Sequence, residues 1–455
     1  MVNTLFLPEL REMLASNNAS DMKEFCDALH PAATADFMSG LSPDEIWAVL
    51  KNADRETRSE IFGFFEEPLQ IEIINSQKLE GIAELMEDLA PDDRVDLLQE
   101  LDPVLSEKLV QALPSEERRE TIRLQAYPED TAGAVMTTEV AMVGEDLTVA
   151  EALKELQDQA QEVETIYYIY IVDESKHLRG VLSARDLISA LSTPDKPISE
   201  VMDTKAISVD VHDDQEEVAQ KVAHYDLLAI PVVDEQHQML GIITHDDVID
   251  VVREEAMEDA HRIAGVEPLE DGYLQTDILQ LCWNRGVWLA PLFIAAILTA
   301  QVIKQFESIL DQLVWLTWFI PLIMSSGGNS GNQSATLVIT GLTNGNIKLT
   351  DWFRVVLREI AMGFLLGGLL GLVFLPISHF FFPTIDSWSA IFVVPLTLVA
   401  VVVCGTTCGS ILPLVFKRLG QDPALMSNPF VAGIIDIVGI IVYVKVACAL
   451  LDIVA

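Results

Sequence analysis

Hydrophobic positions divide the chain into three textures. Up to about residue 130 they recur every three or four residues in short runs, the period of amphipathic helices. The runs restart at Leu41-Ser-Pro-Asp-Glu, Leu89-Ala-Pro-Asp-Asp and Leu113-Pro-Ser-Glu-Glu. Ser or Asp ahead of the first turn, Pro inside it and acids beside it mark helix N-termini. Their recurrence predicts stacked helix pairs, an α-solenoid-like array. From Met136 the texture changes to two similar units of strand, helix, two strands and helix. One contains Tyr167-Tyr-Ile-Tyr-Ile-Val-Asp173 and Leu178-Arg-Gly-Val-Leu-Ser183. The other contains Leu228-Ala-Ile-Pro-Val-Val-Asp234 and Met239-Leu-Gly-Ile-Ile-Thr244.

The third texture is continuous apolarity. Residues 286–305, 312–342, 353–378, 388–416 and 429–452 are each long enough to cross a bilayer core of about 30 Å at about 1.5 Å per residue. The second is too long for one ideal span. Ser325-Ser-Gly-Gly-Asn-Ser-Gly-Asn-Gln-Ser-Ala-Thr336 divides it, and a break in the helix is expected there. Glycines and amides at that depth belong where backbone faces water or is buried in protein. The last segment carries Asp436, and an ionisable residue inside a membrane helix is a functional site by default. Asn428, Ala432 and Asp436 fall at i, i+4 and i+8, and Gly439 and Tyr443 roughly extend the stripe. Such a stripe suits a pore wall or close helix packing. Beside the glycine-amide segment, pore lining is the reading adopted. Lys445, about 13.5 Å further along the helix, is expected to snorkel outward rather than neutralise Asp436. Glu359 reads equally as an inner pore mouth or as a surface partner of nearby basic residues.

Charge sharpens the division. The net charge of −42 lies wholly in the first 280 residues, which hold 20 basic and 62 acidic groups; the remainder holds eight of each. Nucleic acid is excluded as a partner of so acidic a surface. Self-repulsion on this scale favours divalent counter-ions. Lys348, Arg354 and Arg358 precede or open the third span, and Lys417 and Arg418 follow the fourth, whereas His379 to Ser387 carries neither Lys nor Arg. The positive-inside rule then places the N-terminal half in the cytoplasm and, with five spans, the C-terminus outside. The N-terminus shows no basic region followed by an apolar core, so no signal peptide is expected. The five cysteines show neither zinc spacing nor a disulfide framework, and Cys404 and Cys408 read as small packing residues. No nucleophile-base set, catalytic metal motif or Walker motif emerges, which argues against an enzyme.

Candidate cation ligands also lie in the acidic half. Asp247, Asp250, Glu254 and Glu258 are spaced to share one helix face, where like charges repel unless bridged. A solvated acidic face and a cation-bridged one both fit. Asp92, Asp93 and Glu60 read first as helix caps or solvated groups. Ser183-x-x-Asp186 and Thr244-x-x-Asp247 read as helix N-caps.

The two repeated units resemble a tandem CBS pair, and Ser183, Asp186, Thr244 and Asp247 match that family's ribose-contacting pattern. Adenine nucleotide binding, ATP included, therefore stands beside helix capping. The whole chain resembles the MgtE family of magnesium transporters, most specifically at Gly327-Gly-Asn-Ser-Gly-Asn-Gln333, Asp422-Pro-Ala-Leu-Met-Ser-Asn-Pro429, Val431-Ala432-x-x-x-Asp436 and Glu164-Thr-Ile-Tyr-Tyr-Ile-Tyr170. The resemblance implies a multidomain membrane protein: an all-α N-terminal domain (1–134), an α/β CBS pair (135–200 and 201–252), a connecting helix (253–281) and a five-span α-helical domain (282–455). It implies a homodimer in the bilayer of a bacterial inner membrane, with its pore on the two-fold axis and Mg²⁺ as both cargo and regulator. Pore-lining positions carry over to Asn332, Thr336, Asn428, Ala432 and Asp436. Cytoplasmic Mg²⁺ sites carry over to Asp92, Asp214, Glu216, Asp226, Asp247, Asp250, Glu255, Glu258 and Asp259, with Glu60 beside them. Lys445 departs from the pattern. The functional expectation is Mg²⁺ influx closed by cytosolic Mg²⁺; the alternative is a broader divalent-cation or Na⁺-coupled exchanger.

Overall fold

The structure, a computed structural model, describes residues 5–160, 163–269, 272–274, 276–382, 387–426 and 428–453. Part of the loop expected outside, residues 383–386, and Ser427 of the motif before the last helix lie outside the described residues. Contacts divide the chain into one unit of Met1–Val252 and another of Arg253–Ala455.

The first unit opens with helices α1 (Leu7–Ser16), α2 (Ala19–Ala28), α3 (Pro31–Met38), α4 (Pro43–Leu50), α5 (Arg55–Gly63), α6 (Glu67–Ser76), α7 (Leu79–Asp88), α8 (Pro91–Glu100), α9 (Pro103–Ala112) and α10 (Ser115–Leu124). Each is about three turns long, too short to stand alone. They persist by packing on one another, α1 on α2 and α4, and each helix from α2 to α8 on the one two further along, with α1 to α9 sharing one apolar core. The starter motif acts as expected at α4, where Ser42 and Glu45 close a capping box.

After α11 (Ala132–Val135), the two repeats follow as β1 (Val140–Gly144), α12 (Val149–Gln159), β2 (Thr165–Val172), β3 (Leu178–Ser183) and α13 (Ala184–Ala190), then β4 (Val209–Asp210), α14 (Gln215–Tyr225), β5 (Ala229–Val233) and β6 (Met239–Thr244). In each three-stranded sheet the first strand pairs parallel to the second and the second antiparallel to the third. The repeats interlock. Thr137 of the first lead-in exchanges both backbone hydrogen bonds with Ile242 of the second sheet, and Asp203 of the second lead-in does the same with Val181 of the first. Tyr170, Val172 and Leu178 meet Ala229, Val233 and Ile242 in a shared core. Val95 of α8 and Leu124 of α10 join the second repeat's core with Val248 and Val251. Burying one such side chain contributes about 1.5–3 kcal/mol, which holds α8 against this repeat.

Helix α15 (His245–Ala264) runs from the last strand and ends where Gly265 takes φ 73°. The connecting helix is therefore shorter at its C-terminal end than residue 281 and begins earlier than residue 253. The second unit then comprises α16 (Ile278–Gln305), α17 (Glu307–Gln312), α18 (Trp315–Thr343), α19 (Trp352–Phe381), α20 (Trp388–Arg418) and α21 (Asn428–Leu451). Segments Ile278–Gln305, Leu349–Phe381, Trp388–Arg418 and Asn428–Leu451 are long and apolar enough to cross a membrane. Helix α18 has the length, but its polar middle dilutes its apolarity.

The expected break at the glycine-amide stretch is absent: α18 is one helix through Ser325–Thr336. Its small residues serve packing instead. A Cβ on Gly405 of α20 would collide with the Gly327 carbonyl oxygen, and one on Gly409 with that of Gly331. Glycine is required here because two backbones touch, the usual use of small residues between membrane helices. Gly409→Ala should push α18 from α20 and destabilise the unit by about 1–3 kcal/mol, read as a lower melting temperature of the purified protein; an unchanged melting temperature would contradict this packing.

Candidate functional site

Helices α18 and α21 run side by side with their polar stripes facing. Asn428 donates from Nδ2 to Thr336 Oγ1 at 3.1 Å. The Asn332 amide, oriented by its neighbours, donates to the Gly328 carbonyl at 3.2 Å and the Asn428 carbonyl at 2.5 Å. Ala432 lies 3.4 Å from a Cβ built on Gly328. Four of the expected pore-lining positions thus share one helix interface. Further along, Gly439 and Tyr443 are buried, and the Tyr443 hydroxyl donates to the Leu316 carbonyl at 3.0 Å. That end of the stripe is packing, because the tyrosine ring fills the space between helices.

Asp436 sits between these regions, half-buried, and makes no hydrogen bond or ion pair with any described residue. Lys445 is exposed and forms no ion pair with it. A carboxylate left unpartnered on a membrane-length apolar helix needs water or a cation. Glu359 forms no ion pair with the nearby basic residues among the described residues. Ser334 Oγ donates to its carboxylate at 2.5 Å and Thr406 Oγ1 to its backbone carbonyl at 2.9 Å, so it ties α18, α19 and α20 together.

A second concentration of acids lies in the first unit, where α8 meets the start of α15. Asp92 is 8% exposed, and its Oδ1 has no hydrogen-bond partner. Burial, then Asp93, Asp247 and Glu164, hold its carboxyl well above the usual range. It is neither a helix cap nor a solvated group. Asp247 is pushed up to about 6, mainly by burial, although it accepts from Thr244 Oγ1 at 2.5 Å. Glu164 is pushed up to about 7 by desolvation, then by Glu139, Asp247 and Asp93. Such crowding suits a cation. The sign is definite. A carboxylate whose folded pKa exceeds its unfolded one weakens the fold when ionised; the penalty is absent below the ordinary value and complete above the raised one. In Mg²⁺-free buffer, hydrogen-exchange protection of α8, corrected for intrinsic rate, should therefore fall on the order of tenfold from about pH 5 to about pH 8, and Mg²⁺ should restore it. Protection independent of pH would refute the crowding.

In the second unit, Arg262 pairs with Glu258 one turn back and with Asp422 before α21. Asp259 beside it is pushed up to about 6 by burial, then by Asp422 and Glu255. The remaining candidates are dispersed. Asp214 caps α14, accepting from Glu216 N at 2.9 Å, whereas Asp226 terminates the other end of that helix in the left-handed conformation. Glu60 and Asp250 are exposed. Ser183 caps α13, accepting from Asp186 N at 3.1 Å and donating to its carboxylate at 2.5 Å. Among the described residues, no three or more His, Cys, Asp or Glu side chains converge as a ready-made metal cage. Asp92 and Asp247 form a smaller, paired concentration of carboxylates. Sequence reasoning missed the Glu359 tie, the Arg262–Asp422 pair and the part of Glu139 and Asp246 in the acidic cleft. Only the Ser334, Glu359 and Thr406 types, polar within apolar runs, offered a signal.

Comparison with known proteins gives a consistent picture. Residues 320–446 match the family described as "Divalent cation transporter", residues 29–130 the "MgtE intracellular N domain", and residues 132–193 and 198–254 the "CBS domain". The chain is 37% identical to "Magnesium transporter MgtE" of Thermus thermophilus, over 97% of this chain and 98% of that protein. It is 31% identical to the protein of that name in Bacillus subtilis, over 96% of this chain and 95% of the relative. Among solved structures, the soluble part of a magnesium transporter aligns with a TM-score of 0.52 at 36% identity, covering 55% of this chain and 97% of that one. The cytosolic domain of the Mg²⁺ channel MgtE in complex with ATP aligns with a TM-score of 0.50 at 37% identity, covering 53% and 98%.

Proposed function

Because the chain belongs to the MgtE family of magnesium transporters, we propose that it conducts Mg²⁺ across a bacterial inner membrane, inward and down the electrochemical gradient. It is a transporter and not an enzyme. The observation that carries the reading is Asp436: an unpartnered carboxylate on α21, the helix whose Asn428 is bonded to Thr336 and Asn332 of α18. One acid with amides nearby suits an ion that keeps most of its water. For a double charge, a potential of 100 mV contributes about 4.6 kcal/mol, so influx needs no nucleotide hydrolysis.

In this reading α18 is the fifth span beside the four apolar helices, with the N-terminal half cytoplasmic and the C-terminus outside. Two chains assemble about the pore, which supports an account of α16, whose long apolar surface is almost uncovered within one chain. Cytosolic Mg²⁺ closes the path by bridging carboxylates at Asp92 and Asp247 in the first unit and at Glu255, Glu258 and Asp259 in the second, with Asp214, Glu216, Asp226, Asp250 and Glu60 as further ligands. Bridging favours one state of a two-state equilibrium, and loss of Mg²⁺ the other. ATP is proposed at the CBS pair, near Ser183, Asp186, Thr244 and Asp247; a solved relative's cytosolic domain carries it.

The test is uptake by purified protein in liposomes with internal Mg²⁺ varied. Uptake that falls as internal Mg²⁺ rises, without added Na⁺, is expected. Uptake that depends on Na⁺ would replace the channel by an exchanger.

A further inference from the structure

At one end of the second unit, the start of α19 and the end of α20 leave an apolar groove of about 280 Å³ between them. Leu349, Trp352, Val356, Leu414 and Val415 line it together with Arg418. Trp352, the first residue of α19, is 55% exposed. Aromatic rings of this kind sit at the level of lipid headgroups.

Basic residues outnumber acidic ones around the groove. Arg418 is joined by Lys417 on α20 and by Lys348, Arg354 and Arg358 around the start of α19. None of the five forms an ion pair with a described residue. Of the acids nearest in sequence, Asp351 accepts from the Lys348 backbone amide at 3.2 Å and Glu359, next to Arg358, accepts from Ser334 Oγ at 2.5 Å. An apolar slot lined in part by an exposed arginine without an ion-pair partner among the described residues has the two chemistries of one ligand class. A hydrocarbon chain fills the slot, and a phosphate meets the planar fork of the arginine.

We propose that this groove binds an anionic glycerophospholipid, one acyl chain lying between α19 and α20 and the phosphate on Arg418. The site rests on the membrane reading given above, but not on Mg²⁺ conduction. An anionic lipid is favoured over a zwitterionic one because each basic residue near the surface contributes about a fivefold preference for negative charge.

The test uses full-length protein taken from bilayers of equal phosphatidylglycerol and phosphatidylcholine, with retained lipid counted by native mass spectrometry. Wild type should retain phosphatidylglycerol preferentially. Arg418→Gln, a change at an exposed side chain, should reduce that preference about fivefold. Val415→Trp should fill the groove and remove both lipids from it. Trp352 fluorescence, isolated by subtracting Trp352→Phe, should be quenched more by brominated phosphatidylglycerol than by brominated phosphatidylcholine, which keeps the test open if Val415→Trp misfolds. Undiminished preference in Arg418→Gln would overturn the assignment, as would equal quenching by the two lipids. So would displacement of the lipid by inorganic phosphate alone, which would make a free anion the ligand. A change of subunit stoichiometry in Val415→Trp would also overturn it, by making the groove a contact between copies. Mg²⁺ uptake followed in the same preparations separates the two readings: uptake without lipid preference removes this site alone, and lipid preference without uptake removes the transport reading alone.

Discussion

Asp436→Ala and Asp436→Asn should each lower Mg²⁺ uptake by more than about thirtyfold while leaving the protein folded and assembled. The size of the effect follows from charge. A carboxylate about 5 Å from a divalent ion, across a bridging water at an effective dielectric of about 20, attracts it by roughly 6–7 kcal/mol. Losing a third of that in the rate-limiting region suffices for the stated decline, since about 1.4 kcal/mol is tenfold. The fold should tolerate the change because α21 is held by Val431, Ile435, Ile440 and Tyr443, whereas Asp436 bonds to no described residue. Asp436→Asn keeps the side chain's size and removes only its charge. Uptake in liposomes, read beside the elution volume of the purified variant, checks both halves. Wild-type uptake in the asparagine variant would remove Asp436 from the ion path.

The second large effect concerns closure. The triple variant Asp247→Asn, Asp250→Asn, Glu258→Gln should stay open at internal Mg²⁺ concentrations that silence wild type, moving the half-inhibiting concentration up at least about tenfold. Asp247 stands in the cleft with Asp92, a buried carboxylate lacking a partner on Oδ1. Glu258 belongs to a separate group with Asp259, Arg262 and Asp422. In each group like charges crowd without a metal, and a divalent ion removes more repulsion than any monovalent counter-ion. Neutral amides remove the repulsion permanently and weaken the metal's preference with it. A ligand shifts an equilibrium only by its differential affinity, so Mg²⁺ should regulate only at much higher concentration. Inhibition by internal Mg²⁺ at the wild-type concentration in this variant would exclude closure by carboxylate bridging.

Much of the fold was legible because local chemistry and tertiary packing agree. Ser42 and Glu45 announce a helix start and form one, and the paired repeats announce two equivalent sheets. What the sequence could not show was the interlock of those repeats, since Thr137 bonding to Ile242 depends on a contact more than a hundred positions away. The glycine-amide segment misled for a physical reason. Gly327 and Gly331 lower helix propensity, yet the neighbouring Gly405 and Gly409 make close backbone approach worth more than that loss. Asp92 misled in the other direction. An acid in a first helical turn is ordinarily a cap, and only the packing of Val95 and Leu124 onto the second repeat drives this one out of water. Asn332, Thr336 and Asn428 come from the resemblance as one set of positions, and the structure adds the hydrogen bonds that join them.

The conductive role of that polar seam is tested most directly by electrical recording of the purified protein in a planar bilayer, with MgCl₂ at different concentrations on the two sides and low internal Mg²⁺. A Mg²⁺-selective path should show current whose reversal potential shifts by about 30 mV for each tenfold Mg²⁺ gradient, the value for a two-charge carrier, and that current should vanish in Asp436→Asn. A reversal potential that follows Na⁺ instead, or an unaltered current in the variant, would contradict the account.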